Sequence, residues 1–193
     1  MRFTKRFSAC TLALALAALP FELGCSAGQA AAVAQNTATV ISNVIKIAQG
    51  DITPLEQTGV ISAAEGTAVE TFLTGLSSIS SQLSTCVAGA VSAGSKKAAF
   101  LSCFTMFASG ITPGELALFR VINPKAQAKV VEWVAVITIG VNTVIALTGG
   151  SPVVPASAPA AAAPATSQLL PLAVKAGITE QEFRQALRIT NAR

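Results

Sequence analysis

Cysteine and glutamate are the side chains with chemistry to offer in this chain, which has four cysteines, a single aspartate (Asp51), and no His or Tyr. Without His there is no Ser-His-Asp or Cys-His nucleophile and no imidazole metal ligand. Paired carboxylates for acid–base work would have to be glutamates. Glu56, Glu65, Glu115 and Glu182 fall in helix-capping patterns, and Glu70, Glu132 and Glu180 are scattered. No GxGxxG, P-loop or EF-hand pattern is present. Ser95-Lys96 is the one adjacent pair of the kind that supports acyl transfer, but it sits in a Gly-rich turn and reads as a helix start. The expectation is a protein that is not an enzyme, with no catalytic, cofactor-binding or metal-binding residue assigned and no cofactor.

The cysteines take their meaning from the first residues of the chain. Met1 to Arg6 carry three basic residues, Thr11 to Leu19 (TLALALAAL) are apolar, and Pro20 is followed by small residues. This is the build of a secretion signal over residues 1–24, too short to span a bilayer as a lone helix. Leu23-Gly24-Cys25 resembles the end of a bacterial lipoprotein lipobox, which implies lipidation of Cys25 and a membrane anchor. Glu22 and Leu23 depart from that pattern's aliphatic and small positions. Cleavage after Ala27 or Ala30, with a soluble product, is the competing expectation. Cys10 leaves with the leader in either case.

Cys86 and Cys103 then remain as a pair, and export would place them in oxidising surroundings. The turn expected around Gly94-Ser95 lies eight residues after Cys86 and eight before Cys103. Equal offsets put the two level in an antiparallel helical hairpin. Small neighbours (Ser84, Ala88, Gly89, Ala99, Ser102) let the backbones approach. The expectation is a Cys86–Cys103 disulfide, worth roughly 3 kcal/mol for a loop of this size. Two free buried thiols are the alternative.

Helices must hold these residues. Four segments place an aliphatic residue, then Ser or Thr, then Glu three further on: Ile52-Thr53-Pro54-Leu55-Glu56, Ile61-Ser62-Ala63-Ala64-Glu65, Ile111-Thr112-Pro113-Gly114-Glu115 and Ile178-Thr179-Glu180-Gln181-Glu182. Each reads as a capping box, with Pro54 and Pro113 at first helical positions. Hydrophobic spacing predicts a helix from Ala30 to Gln49 that stops at Gly50, a capped turn at 53–58, and a long helix from Ser62 to Ala90. A Phe-rich helix from Lys96 to Ala108 follows, ended by Gly110, then a short one from Pro113 to Ile122. Asn123-Pro124 starts the last, to Leu147.

The last of these is ambiguous. Of the sixteen residues Val130 to Ile145, eleven are β-branched, which lowers helix propensity, yet the run is too long for an ordinary strand. A buried core helix with Asn142 hydrogen-bonded inside, a membrane insertion over 130–148 and a strand are the three readings. Residues 150–167 follow as a Pro/Ala-rich linker expected to be disordered. Residues 168–193 carry a turn started by Pro171 and one short amphipathic helix, with Ile178, Phe183 and Leu187 on its apolar side. A helix so short must dock on the bundle or on a partner.

The fold expected is all-α: a bundle of about four to five helices over 28–149, the linker, and a C-terminal helix. Charged residues are 11% of the chain, and no basic run exceeds Lys96-Lys97, so the electrostatic footprint of a nucleic-acid binder is missing. Three functions are consistent with these features. The first is an exported, non-catalytic envelope or periplasmic protein, lipid-tethered through Cys25, that meets a protein partner through 168–193. The second is a membrane-inserted helical protein. The third is a small-ligand binder or enzyme walled by Phe100, Phe104 and Phe107.

Overall fold

The computed structural model describes residues 27–94, 96–151 and 166–191. The leader 1–24, Cys25, Ser95 and most of the expected linker lie outside these described residues. Six helices and no strand make up the rest: α1 (Ala27–Gln57), α2 (Ala63–Ser92), α3 (Lys97–Phe119), α4 (Pro124–Leu147), α5 (Thr166–Lys175) and α6 (Glu180–Asn191). The all-α bundle expected from the sequence is therefore what forms.

Short connections make the four long helices antiparallel neighbours in a ring, α1 and α3 each lying beside both α2 and α4. The apolar stripes meet inside. Ile41, Val44 and Ile45 of α1 face Val69, Leu73 and Leu83 of α2, all at most 2% exposed. α5 and α6 pack on the side of α4 left open by α1 and α3. Thus α4 has no exposed residue from Val130 to Thr148, and Val130, Trp133, Val134, Ile137, Val141 and Ile145 are all buried. That burial decides the ambiguous segment in favour of a helix. β-branched residues lose at most about 0.7 kcal/mol each in propensity, against roughly 1.5–3 kcal/mol gained per buried Val or Ile.

Two expected helix ends are absent. α1 runs through Gly50 and Pro54, and α3 through Gly110 and Pro113. Pro removes one hydrogen bond and crowds the carbonyl four residues back; for Pro54 that residue is Gly50, which has no side chain to add to the crowding. The apolar stripes continue across both sites, with Ile52 and Ile111 buried, and this burial carries the helices on. The Thr53 and Thr112 capping boxes consequently do not exist as caps. Ile111 and Leu116 form no staple either: the first is buried and the second exposed. Glu56 instead lies across the α1–α2 seam, where a Cβ on Gly66 would collide with its carboxylate.

The true end of α1 is Gly59, at φ +69°. Its N–H donates to Glu56 O and the N–H of Val60 donates to Leu55 O, the Schellman pattern that needs a left-handed residue. Pro171, expected to start a turn, lies inside α5, and Thr166 and Ser167 belong to that helix rather than to a linker.

Candidate functional site

The seam between α2 and α3 carries the one covalent link among the described residues. Cys86 and Cys103 are disulfide-bonded, with Cα atoms 5.9 Å apart. This level pairing sets the register of the two helices. Seven residues further from the bond on each helix, Ile79 meets Gly110. A Cβ on Gly110 would stand 3.2 Å from Ile79 Cδ1, and one on Gly114 would stand 3.2 Å from Phe72. Glycine at these two positions is what lets Phe72 and Ile79 lie against the backbone of α3.

Outside this close approach runs an open groove of about 500 Å³, lined by Ala68, Thr71 and Gly75 of α2, Gly114 and Ala117 of α3, and Val121 in the turn after α3. No ionisable side chain lines it. It offers a largely apolar surface, and its one hydroxyl, Thr71 Oγ1, donates to Thr67 O. Residue spacing alone did not disclose it. The signal was available in the cysteine register, since carrying the pairing of 86 with 103 along the hairpin puts Ile79 level with Gly110.

The Phe-rich face of α3 is packed into the core. Phe100, Phe104 and Phe107 are at most 3% exposed, and none of them lines the groove. Beyond them on the same buried face stands Glu115, 2% exposed, with Oε2 lacking a hydrogen-bond partner. Burial pushes its carboxyl up from 4.5 to about 7, because an ionised form would lose its water without gaining a partner. Ser80 Oγ is buried without a partner as well. The clue to Glu115 in the sequence is its spacing, one turn after Ile111 and just before Leu118.

Glu65 is the opposite case. Ser62 caps α2 with its Oγ accepting from Glu65 N, while Glu65 Oε2 accepts from Ser62 N at 2.8 Å. Glu65 Oε1 also accepts from Asn123 N at 2.6 Å. Asn123 Oδ1 in turn accepts from Lys125 N and Ala126 N, capping α4, and its Nδ2 donates to Val60 O. One carboxylate thus ties the starts of two helices together. Hydrogen bonds from Ser62 and Asn123 hold its pKa below the ordinary value. Thr179 and Glu182 form the other true box, at the start of α6.

The structure brings Cys86 and Cys103 together, and Cys25 lies outside the described residues. Glu70, Glu132 and Glu180 do not assemble: Glu132 pairs with Lys129 and Glu180 with Arg184. Among the described residues no three of His, Cys, Asp or Glu are grouped as metal ligands would be. No family model matches the chain, and neither does any curated protein or solved structure.

Proposed function

We propose that this is an exported, non-catalytic bacterial envelope protein, tethered by lipid on Cys25, whose helical bundle serves in structure or protein interaction. The observation that carries this reading is the Cys86–Cys103 bond. Disulfides persist in oxidising compartments, and this one uses the two cysteines that remain free to pair once Cys10 leaves with the leader and Cys25 carries lipid. The uncharged α2–α3 groove adds a surface suited to an apolar partner. Metabolic labelling with a fatty-acid analogue tests the tether: label is expected on the native protein and lost in Cys25→Ala. Label that never appears, or that survives in the variant, refutes it.

A second reading, insertion of residues 130–148 in a membrane, is favoured by one observation. Among the described residues, Pro124–Leu147 is the one helix long and apolar enough to cross a bilayer.

A further inference from the structure

Thr112-Pro113-Gly114-Glu115 has the composition of a helix start, yet it lies inside α3. A helix interior suits it poorly. Pro113 has no N–H for the carbonyl of Ser109, four residues back, and Gly110 and Gly114 lower helix propensity on either side. Glu115 is 2% exposed, and its Oε2 has no hydrogen-bond partner. One local rearrangement would relieve all of these. With Thr112 extended, its Oγ1 would accept from Glu115 N, its N–H would donate to the Glu115 carboxylate, and Pro113 would take the first helical position. Ser62 to Glu65 hold this very box closed, after a turn at the left-handed Gly59. Gly110, two residues ahead of Thr112, is likewise free to turn the chain.

A proton on Glu115 is what keeps the box from forming. Burial raises the carboxyl to about 7, and the neutral acid can remain in the core. No cation is at hand to hold the anion there. Packed against α3 are α1, α2 and α4. Of their ionisable groups, Lys46, Glu70, Lys125 and Lys129 are exposed. Asp51 pairs with Lys175 and Glu132 with Lys129. Glu65 is held by Ser62 and Asn123, and Glu56 lies against Gly66. Lys97 stands at the far end of α3, and Arg120, just past its near end, is exposed.

We propose that α3 is a two-state element: with Glu115 neutral it is one helix, and with Glu115 ionised it divides between Gly110 and Thr112, where the Thr112 capping box closes and starts a second helix. The proton goes to solvent, and the carboxylate exchanges its apolar surroundings for the N–H of Thr112. While Glu115 is neutral, Thr112 caps nothing. The α3 wall of the groove has Gly110 before the division and Gly114 and Ala117 after it, so the same event reshapes that surface. Proton loss is thereby coupled to the shape of the face offered to an apolar partner. The inference does not depend on Cys25: a failed lipid label leaves it standing, and its own failure leaves the export proposal intact.

Carbon-13 NMR of the purified protein, with its disulfide intact, tests this at Thr112 and Glu115. At pH 5 the Thr112 Cα and Cβ shifts should be those of a helix. By pH 9 they should move to those of extended backbone, in step with titration of the Glu115 carboxyl carbon, while Leu73 and Val87 keep their shifts. Glu115→Gln should hold Thr112 helical at both pH values. Thr112→Ala removes the hydroxyl of the box and should move the Glu115 midpoint to higher pH, because the ionised form loses part of its stabilisation. A Thr112 that stays helical while Glu115 ionises overturns the proposal. So does a Thr112 shift that persists in Glu115→Gln, a Glu115 midpoint untouched by Thr112→Ala, or a Glu115 carboxyl that does not titrate in this range. General loss of shift dispersion at pH 9 overturns it too, since that is unfolding and not division.

Discussion

The segments Ser62–Glu65 and Thr112–Glu115 share one sequence pattern and meet opposite fates. At Ser62 the backbone is extended, at φ −80° and ψ 163°, and the Glu reaches back to close a capping box. At Thr112 the backbone is already helical, so no free N–H awaits the carboxylate, and Glu115 turns into the core instead. A capping motif therefore works only where the chain arrives from outside the helix. What decides this is the path of the chain before the motif, since the residue just ahead of it is a buried Ile in both. Ile61 follows the left-handed Gly59, which has already turned the chain, whereas Ile111 continues the buried stripe of Phe104 and Phe107.

The two glutamates should pull stability in opposite directions with pH. The raised Glu115 carboxyl keeps its proton in the folded state at pH values where the unfolded chain has lost it. Its contribution is whole below about pH 4.5 and drains as pH rises through about 7. The lowered Glu65 carboxyl contributes above its ordinary value, and that contribution is lost as pH falls through its folded value.

The largest expected effect follows from removing the buried charge. Glu115→Gln should flatten the decline of stability between pH 4.5 and 9 and raise stability at pH 9 by up to about 3 kcal/mol, at 1.36 kcal/mol per pKa unit, while changing little at pH 4. Urea denaturation across that range measures it, and an unchanged slope would mean that Glu115 is solvated. Next in size, Ser62→Ala should cost about 1 kcal/mol and soften the acid-side loss attributed to Glu65, seen as a lower urea midpoint at pH 7. Smallest of the three, Thr112→Ala should stay within about 0.5 kcal/mol of the parent. A cost equal to that of Ser62→Ala would restore Thr112 as a cap and break α3 in two.

Much of this fold is legible in the sequence, and the illegible parts have one physical origin. α2, α4, the Ser62 and Thr179 boxes and the Asn123-Pro124 start follow from local chemistry: each cap lies next to its own donors. The cystine follows from equal offsets about one turn. α1 and α3 read as broken because Gly and Pro are strong local signals, and Pro in a helix interior costs about 3 kcal/mol. Burial of the whole apolar stripe through each site, Ala48 and Ile52 in α1 and Ile111, Leu118 and Phe119 in α3, offsets that cost, and burial depends on residues distant in the chain. Glu115 and the glycine-walled groove were missed for the same reason, since both exist only once α3 is unbroken and set against α2. The site itself is half legible: Cys86 and Cys103 stand out by their spacing, whereas Gly110 reads as a helix end and Gly114 as part of a capping box until the register sets α3 against α2.

The measurement closest to the central claim is the intact mass of the protein purified from its native cells without reduction. The expected mass is that of a chain beginning at Cys25, carrying acyl groups, and short of two hydrogens for the Cys86–Cys103 bond. A mass corresponding to residues 1–193 with Met1 in place and both thiols free would contradict export, lipid and disulfide at once.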